Sequence, residues 1–264
     1  MSGPLTIVAS AAKMDFRSKF AVVGPLMRLA VIMLTNLFSM YFFFLLASYI
    51  GKSDVTPDYV IIGNMIQSIA TSTLYSTSNI SNMEKHTGTL EPLLTAPSRM
   101  FYTFFGKSIF GILNGIVSVT VSISFAAFVF GVDFSSANLS VIAVIGLLTC
   151  LSLTGMGMAV GSVGLYLRTS SIIASLFSYI GLLVCGVNFP VSYLPGWLQI
   201  FSYAMPLTYA VDATRMAVGG ATLSAVSQPL MIMIVLGLVY LIISWFIFNL
   251  FEKISRKTGK IGSF

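Results

Sequence analysis

Six apolar stretches, each about as long as a membrane crossing, constrain this chain more than any other feature of its sequence. A helix needs about 20 residues to cross a hydrocarbon core of about 30 Å. Within lipid a helix satisfies its own backbone hydrogen bonds, so these stretches are predicted to be helices rather than strands. The six predicted spans are residues 26–50, 59–80, 105–130, 139–166, 171–189 and 230–251.

The composition excludes the soluble classes of protein. Of 264 residues, 14 are Lys or Arg and 8 are Asp or Glu, so that only 8% are charged. A soluble domain has about 25% charged residues. Hydrophobic residues make up 56% of the chain, too many for a surface that faces water. We therefore expect an all-α integral membrane protein with six transmembrane helices.

The basic residues predict the orientation of the chain. Cytoplasmic loops of membrane proteins carry an excess of Lys and Arg. With six spans and the N-terminus inside the cell, every basic residue except Lys52 and Arg215 falls on the cytoplasmic side. Both termini are thus expected in the cytoplasm, and the net charge of +6 requires no nucleic-acid partner.

The N-terminal residues 1–25 form a separate predicted element on the cytoplasmic side. Apolar residues alternate there with Lys13, Asp15, Arg17 and Lys19. This pattern is typical of an amphipathic helix that lies in the inner membrane interface. A solvated tail is the alternative.

The longest cytoplasmic connection, residues 81–99, has the pattern of two short helices joined by a turn. Ser81 and Glu84 have the spacing of a capping box, in which each side chain satisfies a backbone donor at a helix start. Gly88 then permits a turn, and Thr89 can cap the second helix.

The second short helix is predicted to end at Pro97, because proline interrupts helices. Glu91 lies in its first turn, and Leu90, Leu93 and Leu94 give it an apolar face. A soluble partner could bind this face, or the leucines could lie on the bilayer. The pattern alone favours neither.

Two segments resemble signatures of the type-2 ATP-binding-cassette (ABC) exporter permeases. Residues 84–97, Glu-Lys-His-Thr-Gly-Thr-Leu-Glu-Pro-Leu-Leu-Thr-Ala-Pro, are similar to the segment that follows the family's second helix. Residues 188–199, Asn-Phe-Pro-Val-Ser-Tyr-Leu-Pro-Gly-Trp-Leu-Gln, are similar to the segment after its fifth helix, and the likeness continues to Arg215. Both lie in the expected order and on the expected sides of the membrane. With the six spans, the resemblance covers nearly the whole chain.

The resemblance implies a single permease domain, residues 1–264, that pairs with an identical copy or a paralogue and recruits two cytosolic ATPase subunits. Residues 81–99 would hold the coupling helix that docks on the ATPase. Mg-ATP would bind to the ATPase, so we expect no catalytic residue, metal or cofactor on this chain. The predicted coupling residues are Glu84, Gly88, Thr89, Leu90, Glu91, Leu94 and Pro97.

Residues 190–220, on the predicted external side, are too apolar for a solvated loop. Prolines interrupt helices there, and aromatic residues favour the membrane interface. The pattern predicts two short re-entrant helices, which either gate the exit of a substrate or cap the structure. Asp212 and Arg215 can pair on one helical face. The candidate gate residues are Pro190, Pro195, Trp197, Pro206, Asp212 and Arg215.

Polar residues recur at spacings of three and four in the predicted second span, and more weakly in the fifth. Lipid would not accept such a stripe, so it is expected to face protein or water. The resemblance places both helices at the interface of two permease copies, around a substrate pathway. Hydroxyl contacts between helices are the alternative. The candidate pathway residues are Asn64, Gln67, Thr71, Tyr75, Ser175 and Ser178.

Two glycines of the predicted fourth span, Gly157 and Gly161, have a spacing that suits close helix packing in membranes. Gly51-Lys52-Ser53 ends like a phosphate-binding loop. However, the position five residues before its glycine is Leu46, where that loop needs a second glycine. We therefore expect this chain not to bind ATP itself.

These features favour the permease subunit of an exporter that moves an amphiphile, such as a drug, a lipid or a small peptide, out of the cell. We expect it in the plasma membrane of a prokaryote. Export of a cell-surface polysaccharide or glycolipid by the same scaffold is the alternative.

Two other classes of membrane protein fit the sequence less well. An ion-driven secondary carrier would need an ionisable residue near mid-membrane. An intramembrane hydrolase would need paired carboxylates, a metal cluster or a nucleophile with its base. The sequence has neither pattern.

Overall fold

The structure, a computed structural model, describes residues 3–22, 24–50, 55–95, 99–167 and 170–258. Within these ranges the regular secondary structure is entirely helical, as predicted. In chain order the α-helices are α1 (Pro4–Val22), α2 (Pro25–Ile50), α3 (Pro57–Ile69), α4 (Tyr75–Ser78), α5 (Ile80–His86), α6 (Leu90–Thr95), α7 (Met100–Phe128), α8 (Leu139–Leu167), α9 (Ser170–Val184), α10 (Gly196–Ala204), α11 (Pro206–Val218) and α12 (Ser227–Thr258).

Four helices, α2, α7, α8 and α12, are long and apolar enough to cross a membrane. They correspond to the first, third, fourth and sixth predicted spans. Helix α9, in the position of the fifth, is a shorter apolar helix. The chain is therefore a multi-pass α-helical membrane protein, whereas the count of six spans and their limits stay a prediction.

The second predicted span is helical throughout residues 57–78, and a π turn divides its α-helical part in two. Its start is well defined, because Thr56 accepts a hydrogen bond from the Tyr59 amide (3.2 Å) and Pro57 occupies the first helical position. Helix α3 gives way to a π-helical turn over Ala70–Leu74, and only then does α4 begin. Such single π turns occur frequently at functional sites.

Glycines of α7 and α8 enclose the C-terminal half of this divided span. A β-carbon on Gly115 would overlap the hydroxyl oxygen of Thr73, and one on Gly157 would lie 2.9 Å from the β-carbon of Thr77. At Gly161, the same atom would lie 3.2 Å from the nearest backbone oxygen of α4. The close packing predicted for Gly157 and Gly161 is thus confirmed, and the second predicted span is what they pack against.

Two apolar clusters hold the helices together. The larger joins α3, α8, α11 and the adjoining helices. The smaller lies at the other end of the bundle, where Leu90 of α6 meets Met100 and Phe104 of α7 and Phe248 and Phe251 of α12. This second cluster fixes the predicted coupling region against two long helices.

Candidate functional site

The predicted coupling region folds into α5, a tight turn and α6. The Gly88 amide donates to the carbonyl of Lys85 (3.2 Å), and the Thr89 amide donates to that of Glu84 (3.0 Å). These two bonds form a Schellman motif, which ends a helix with a residue in the left-handed region. Gly88 has a φ of +68°, so the turn predicted here is confirmed and its backbone favours glycine.

The capping box predicted for Ser81 and Glu84 is wrong. Helix α5 begins at Ile80, so Ser81 lies inside the helix, and its hydroxyl donates to the carbonyl of Gly161 in α8 (2.8 Å). The spacing of the two residues was compatible with a cap, but a buried polar side chain bonds to whatever partner the tertiary structure provides.

Glu84 forms a buried ion pair with Lys107 of α7. The two side chains are only 9% and 12% exposed. One carboxylate oxygen accepts from the Lys107 ammonium, and the other accepts from the Thr89 hydroxyl (2.7 Å). The carboxylate therefore connects the turn directly to α7. Removal of one charge from a buried pair typically costs about 3–5 kcal/mol.

Lys107 is the main site residue that sequence reasoning missed. It is the only charged residue of α7, which otherwise carries apolar and small polar side chains. A single cation in such a helix needs a partner near a membrane. That requirement was a usable signal, although it could not identify Glu84 as the partner.

Two further side chains of α5 connect it to α8 and α9. The Lys85 ammonium donates to the carbonyl of Leu165 (2.8 Å) near the C-terminal end of α8, where the helix dipole favours a cation. The Asn82 amide donates to the hydroxyl of Ser171 in α9 (3.0 Å). Helix α5 thus contacts three helices through polar side chains.

Helix α6 packs against the protein through its leucines. Leu90 is buried and Leu93 is half-buried against the cluster that contains Phe104 and Phe248. Leu90 therefore holds α6 in place and is not itself free to contact a partner. Three predicted coupling features lie outside the described part of the chain: Pro97 and the side chains of Glu91 and Leu94.

The predicted interface helix, α1, packs along α7 and is not a solvated tail. A β-carbon on Gly106 would lie 2.9 Å from the β-carbon of Ala11, so the two helices are in close contact. The Lys19 ammonium lies 4.5 Å from the ring centre of Phe110 and pairs with Asp15 at 2.8 Å. Burial lowers the pKa of Lys19, while the neighbouring Asp15 carboxylate acts in the opposite direction.

Asn64 and Gln67 of α3, two of the predicted pathway residues, are buried against the chain around α9. The Gln67 amide donates to the carbonyl of Ser178 (3.0 Å), and the Asn64 amide donates to the side chain of Asn188 (2.8 Å). The amide oxygen of Gln67 and the hydroxyl of Ser178 are buried without a hydrogen-bond partner among the described residues. Such atoms are costly unless a ligand or water satisfies them.

The remaining pathway residues lie closer to the surface of the chain. Thr71, in the π turn, is exposed, and its hydroxyl donates to the carbonyl of Ser68 (3.0 Å). Tyr75 is 43% exposed, and Ser175 of α9 is half-buried. The predicted stripe is therefore divided into a buried part around Asn64 and Gln67 and a more exposed part around Thr71 and Tyr75.

Arg215 of α11 holds residues 190–220 to the rest of the chain through contacts that the sequence did not indicate. Its Nη2 donates to the carbonyls of Tyr59 (3.2 Å), Gly186 (2.8 Å) and Val187 (3.0 Å), and its guanidinium carbon lies 3.4 Å from the ring centre of Tyr59. Asp212 is 4.0 Å away and largely exposed, so the predicted pair is only a loose contact. Arg215 thus joins α11 to the start of α3 and to the chain that follows α9.

Helices α10 and α11 are two short helices within residues 190–220, the segment for which the sequence predicted two re-entrant helices. Pro206 is buried at the first position of α11, while Pro195 precedes α10 and is exposed. Pro190 is half-buried, and Trp197 of α10 is 63% exposed. The membrane depth of these helices and their role as a gate stay predictions.

Comparison with known proteins adds a family and two relatives. The sequence model of the family described as "ABC-2 type transporter" matches residues 19–218. The chain is 24% identical over 132 residues to the "Probable multidrug ABC transporter permease YbhR" of Escherichia coli strain K12, and the protein of that name from Escherichia coli O157:H7 matches equally. The alignment covers 50% of this chain and 36% of each relative. The matched part is therefore little more than a third of the relatives' length.

Proposed function

Because this chain belongs to the ABC-2 type transporter family, we propose that it is the transmembrane subunit of an exporter that is driven by a separate ATPase subunit. The observation that carries this proposal is the Gly88 turn, whose base is joined to α7 by the Glu84–Lys107 pair. A turn that projects between two short helices and is firmly joined to a long helix suits the transmission of force from a soluble partner.

The proposed mechanism follows from the contacts of α5. When the ATPase subunits close on ATP, they displace α6 and the Gly88 turn. The Glu84–Lys107 pair passes this displacement to α7, while Lys85 and Asn82 pass it to α8 and α9. The divided second span, with its π turn between α3 and α4, is the segment that rearranges.

A second permease copy, identical or paralogous, completes the proposed pathway. Exposed Thr71 and Tyr75 lie on the divided second span, and exposed Tyr179 lies on α9. Polar side chains at such positions would be unfavourable against lipid, which supports their contact with protein or with substrate. In this arrangement six spans cross the plasma membrane of a prokaryote, with both termini in the cytoplasm.

The proposed substrate is an uncharged or weakly charged amphiphile, such as a drug or a lipid-like molecule, which moves outward past α10 and α11. Amide and hydroxyl groups from Asn64, Gln67 and Ser178 offer hydrogen bonds, while the surrounding side chains are apolar. The printed description of the Escherichia coli relatives as multidrug permeases supports the same class of cargo.

Substitution of Gly88 tests the coupling assignment. Gly88→Val is expected to abolish co-purification of the ATPase, because a β-branched residue in the left-handed region costs at least about 1–2 kcal/mol and would distort the turn. Gly88→Asn should retain the ATPase, since asparagine tolerates this conformation. The measurement is the amount of ATPase recovered with the tagged chain after co-expression with an ATPase encoded beside it, together with substrate-stimulated ATP hydrolysis.

Gly131 provides the matched control. It has a φ of +70°, nothing lies within 4 Å of its added β-carbon, and it follows α7 on the predicted external side. Gly131→Val should produce comparable backbone strain but leave ATPase recovery unchanged. If Gly88→Val retained the ATPase and transported normally, the coupling role of the turn would be rejected.

The pathway assignment predicts altered substrate selection after changes at Gln67 and Thr71. Gln67→Leu and Thr71→Leu are expected to shift the half-maximal stimulating concentration of some amphiphiles by about tenfold, equivalent to about 1.4 kcal/mol, and of others much less. The readout is ATP hydrolysis by the reconstituted complex across a panel of compounds. Thr35→Leu is the control, since Thr35 of α2 is also exposed and donates to its own helix (2.7 Å). Equal profiles for the three variants and the parent chain would contradict the pathway.

A further inference from the structure

We propose that the end of α12 near Arg99 binds an anionic phospholipid of the inner leaflet. The site is a groove of about 520 Å³ between α12 and the residue that precedes α7. Its lining includes none of the individual residues proposed for coupling or for the substrate pathway. The inference therefore goes beyond the proposed transport function and shares with it only the orientation of the chain.

The groove has a polar end and an apolar end. Arg99 and Lys253 form the polar end, together with the carboxylate of Glu252. Trp245, Phe246 and Leu250 line the remainder, together with the uncharged amide of Asn249. Because an α-helix rises about 1.5 Å per residue, Trp245 lies about 12 Å further along α12 than Lys253. This separation of charge from apolar surface is that of a membrane lipid.

The charge of the polar end selects an anion. Two cations and one carboxylate line it, which leaves one net positive charge. Arg99 and Lys253 are both exposed, so their donors are accessible to a headgroup. Anionic lipids of the cytoplasmic leaflet are attracted to such basic side chains. A zwitterionic lipid could fill the apolar end but would leave the positive charge uncompensated.

The apolar end indicates a lipid rather than a soluble anion or protein. Trp245 is 42% exposed, Phe246 63% and Leu250 44%, so this side of α12 offers a mainly apolar surface. Tryptophan is enriched at the membrane interface, where its ring meets headgroups and acyl chains. A water-soluble partner could reach Arg99 and Lys253 but not Trp245, about 12 Å deeper in the proposed orientation.

The groove also adjoins the support of the coupling helix. Phe248 and Phe251, on the same turns of α12, are buried in the cluster that includes Leu90 and the half-buried Leu93 of α6. A lipid bound beside these turns would stabilise the surface on which α6 rests. The bound lipid is therefore placed to influence coupling without touching the substrate.

Tryptophan fluorescence provides the test, because the chain contains two tryptophans and only Trp245 lines the groove. The Trp197→Phe variant, full length, is reconstituted into vesicles of equimolar phosphatidylcholine and phosphatidylglycerol. Two preparations of identical composition differ only in which lipid carries brominated acyl chains, which quench tryptophan on contact. We expect stronger quenching when the phosphatidylglycerol is brominated, reflecting about fivefold enrichment of that lipid beside Trp245.

Charge-neutralising variants make the test specific. The excess quenching should disappear in Arg99→Gln/Lys253→Gln and persist in Lys13→Gln, which removes an exposed cation of α1 away from the groove. Thermal unfolding in detergent verifies that the double variant is folded. Quenching at the level of random mixing in the Trp197→Phe chain, or excess that survives the double substitution, would overturn the proposal. Because neither ATP nor substrate is present, the result is independent of the proposed transport function.

Discussion

Alanine at Gly63 is expected to destabilise the protein severely, whereas alanine at Gly146 should be neutral or stabilising. A β-carbon on Gly63 would overlap the carbonyl oxygen of Val187 and lie 2.8 Å from its carbonyl carbon and 3.0 Å from Nη2 of Arg215. The carbonyl cannot easily withdraw, because it accepts a hydrogen bond from Arg215 at 3.0 Å. At Gly146 in α8 the nearest atom, from Val119, is 3.8 Å away.

The two substitutions are expected to change the stability of the protein in opposite directions, because of packing and helix propensity. Alanine is favoured over glycine inside a helix by about 1 kcal/mol, and Gly146→Ala gains this without a collision. Gly63→Ala gains the same stabilisation from helix propensity but forces backbone shifts in a packed region. Such shifts typically cost about 1–3 kcal/mol and occasionally more. Because the obstacle is backbone and not a flexible side chain, we expect a loss at the upper end of this range.

The measurement is the thermal unfolding midpoint of each purified variant in detergent, together with the monodisperse fraction after size exclusion. Gly63→Ala should unfold at a markedly lower temperature and lose monodisperse protein, and Gly146→Ala should match or exceed the parent chain. A Gly63→Ala protein with an unchanged midpoint would show that α3 and the chain after α9 are not in such close contact.

The sequence predicted those features that depend on local pattern. Apolar length predicted the positions of the four long helices, with ends that differ from those of the structure by up to seven residues, since it reflects the thickness of the bilayer. Gly88 was identified as a turn because few other residues adopt its backbone conformation. The spacing of Gly157 and Gly161 indicated close packing, although it could not name the partner.

Long-range partners were not predictable in the same way. Arg215 was paired with Asp212 because they are three residues apart, but the carbonyls around Gly186 offer a buried guanidinium more acceptors than one exposed carboxylate does. Ser81 was assigned to a helix start, yet its hydroxyl reaches across to α8. In both cases a short spacing is compatible with a local bond, and the tertiary structure supplies a different one.

The sequence pattern also did not predict the π turn that divides the second predicted span. Its polar residues at spacings of three and four suit one continuous α-helical stripe. A π turn contains an additional residue per turn, so side chains beyond it are rotated relative to those before it. Gln67 is consequently buried while Tyr75 is exposed. Gly115 and Gly157 pack closely against this irregular segment, and the local sequence around the segment does not predict that tertiary contact.

Removal of either charge of the Glu84–Lys107 pair is expected to be more destabilising than removal of both. Glu84→Gln leaves the Lys107 ammonium 12% exposed and without its counter-charge, and Lys107→Met leaves the carboxylate in the same state. Each single change should lower the free energy of unfolding by about 3 kcal/mol. In Glu84→Gln/Lys107→Met the cation is absent, and the amide oxygen of the new glutamine can still accept from Thr89.

A double-mutant cycle measures the interaction, with chemical unfolding of the four proteins in detergent as the readout. We expect an interaction energy of about 3 kcal/mol or slightly more, because each single change costs about 3 kcal/mol and the double change costs less than either. This value is at the upper end of the departures from additivity, about 0.5–3 kcal/mol, that contacting residues in one network show. A cycle between Lys107→Met and Asp133→Asn, which changes an exposed carboxylate in the α7–α8 connection, should be additive. Additive effects in the Glu84–Lys107 cycle would contradict a direct pair.

The same variants separate stability from coupling. If the charge pair transmits displacement from the Gly88 turn to α7, the double variant should regain stability but show reduced substrate stimulation of the ATPase. A methionine contacts its surroundings only by packing, whereas the ion pair and its Thr89 bond hold α5 and α7 in a fixed relation. Full recovery of both stability and stimulation would mean that the pair serves the fold alone, and that transmission passes through Lys85 and Asn82 instead.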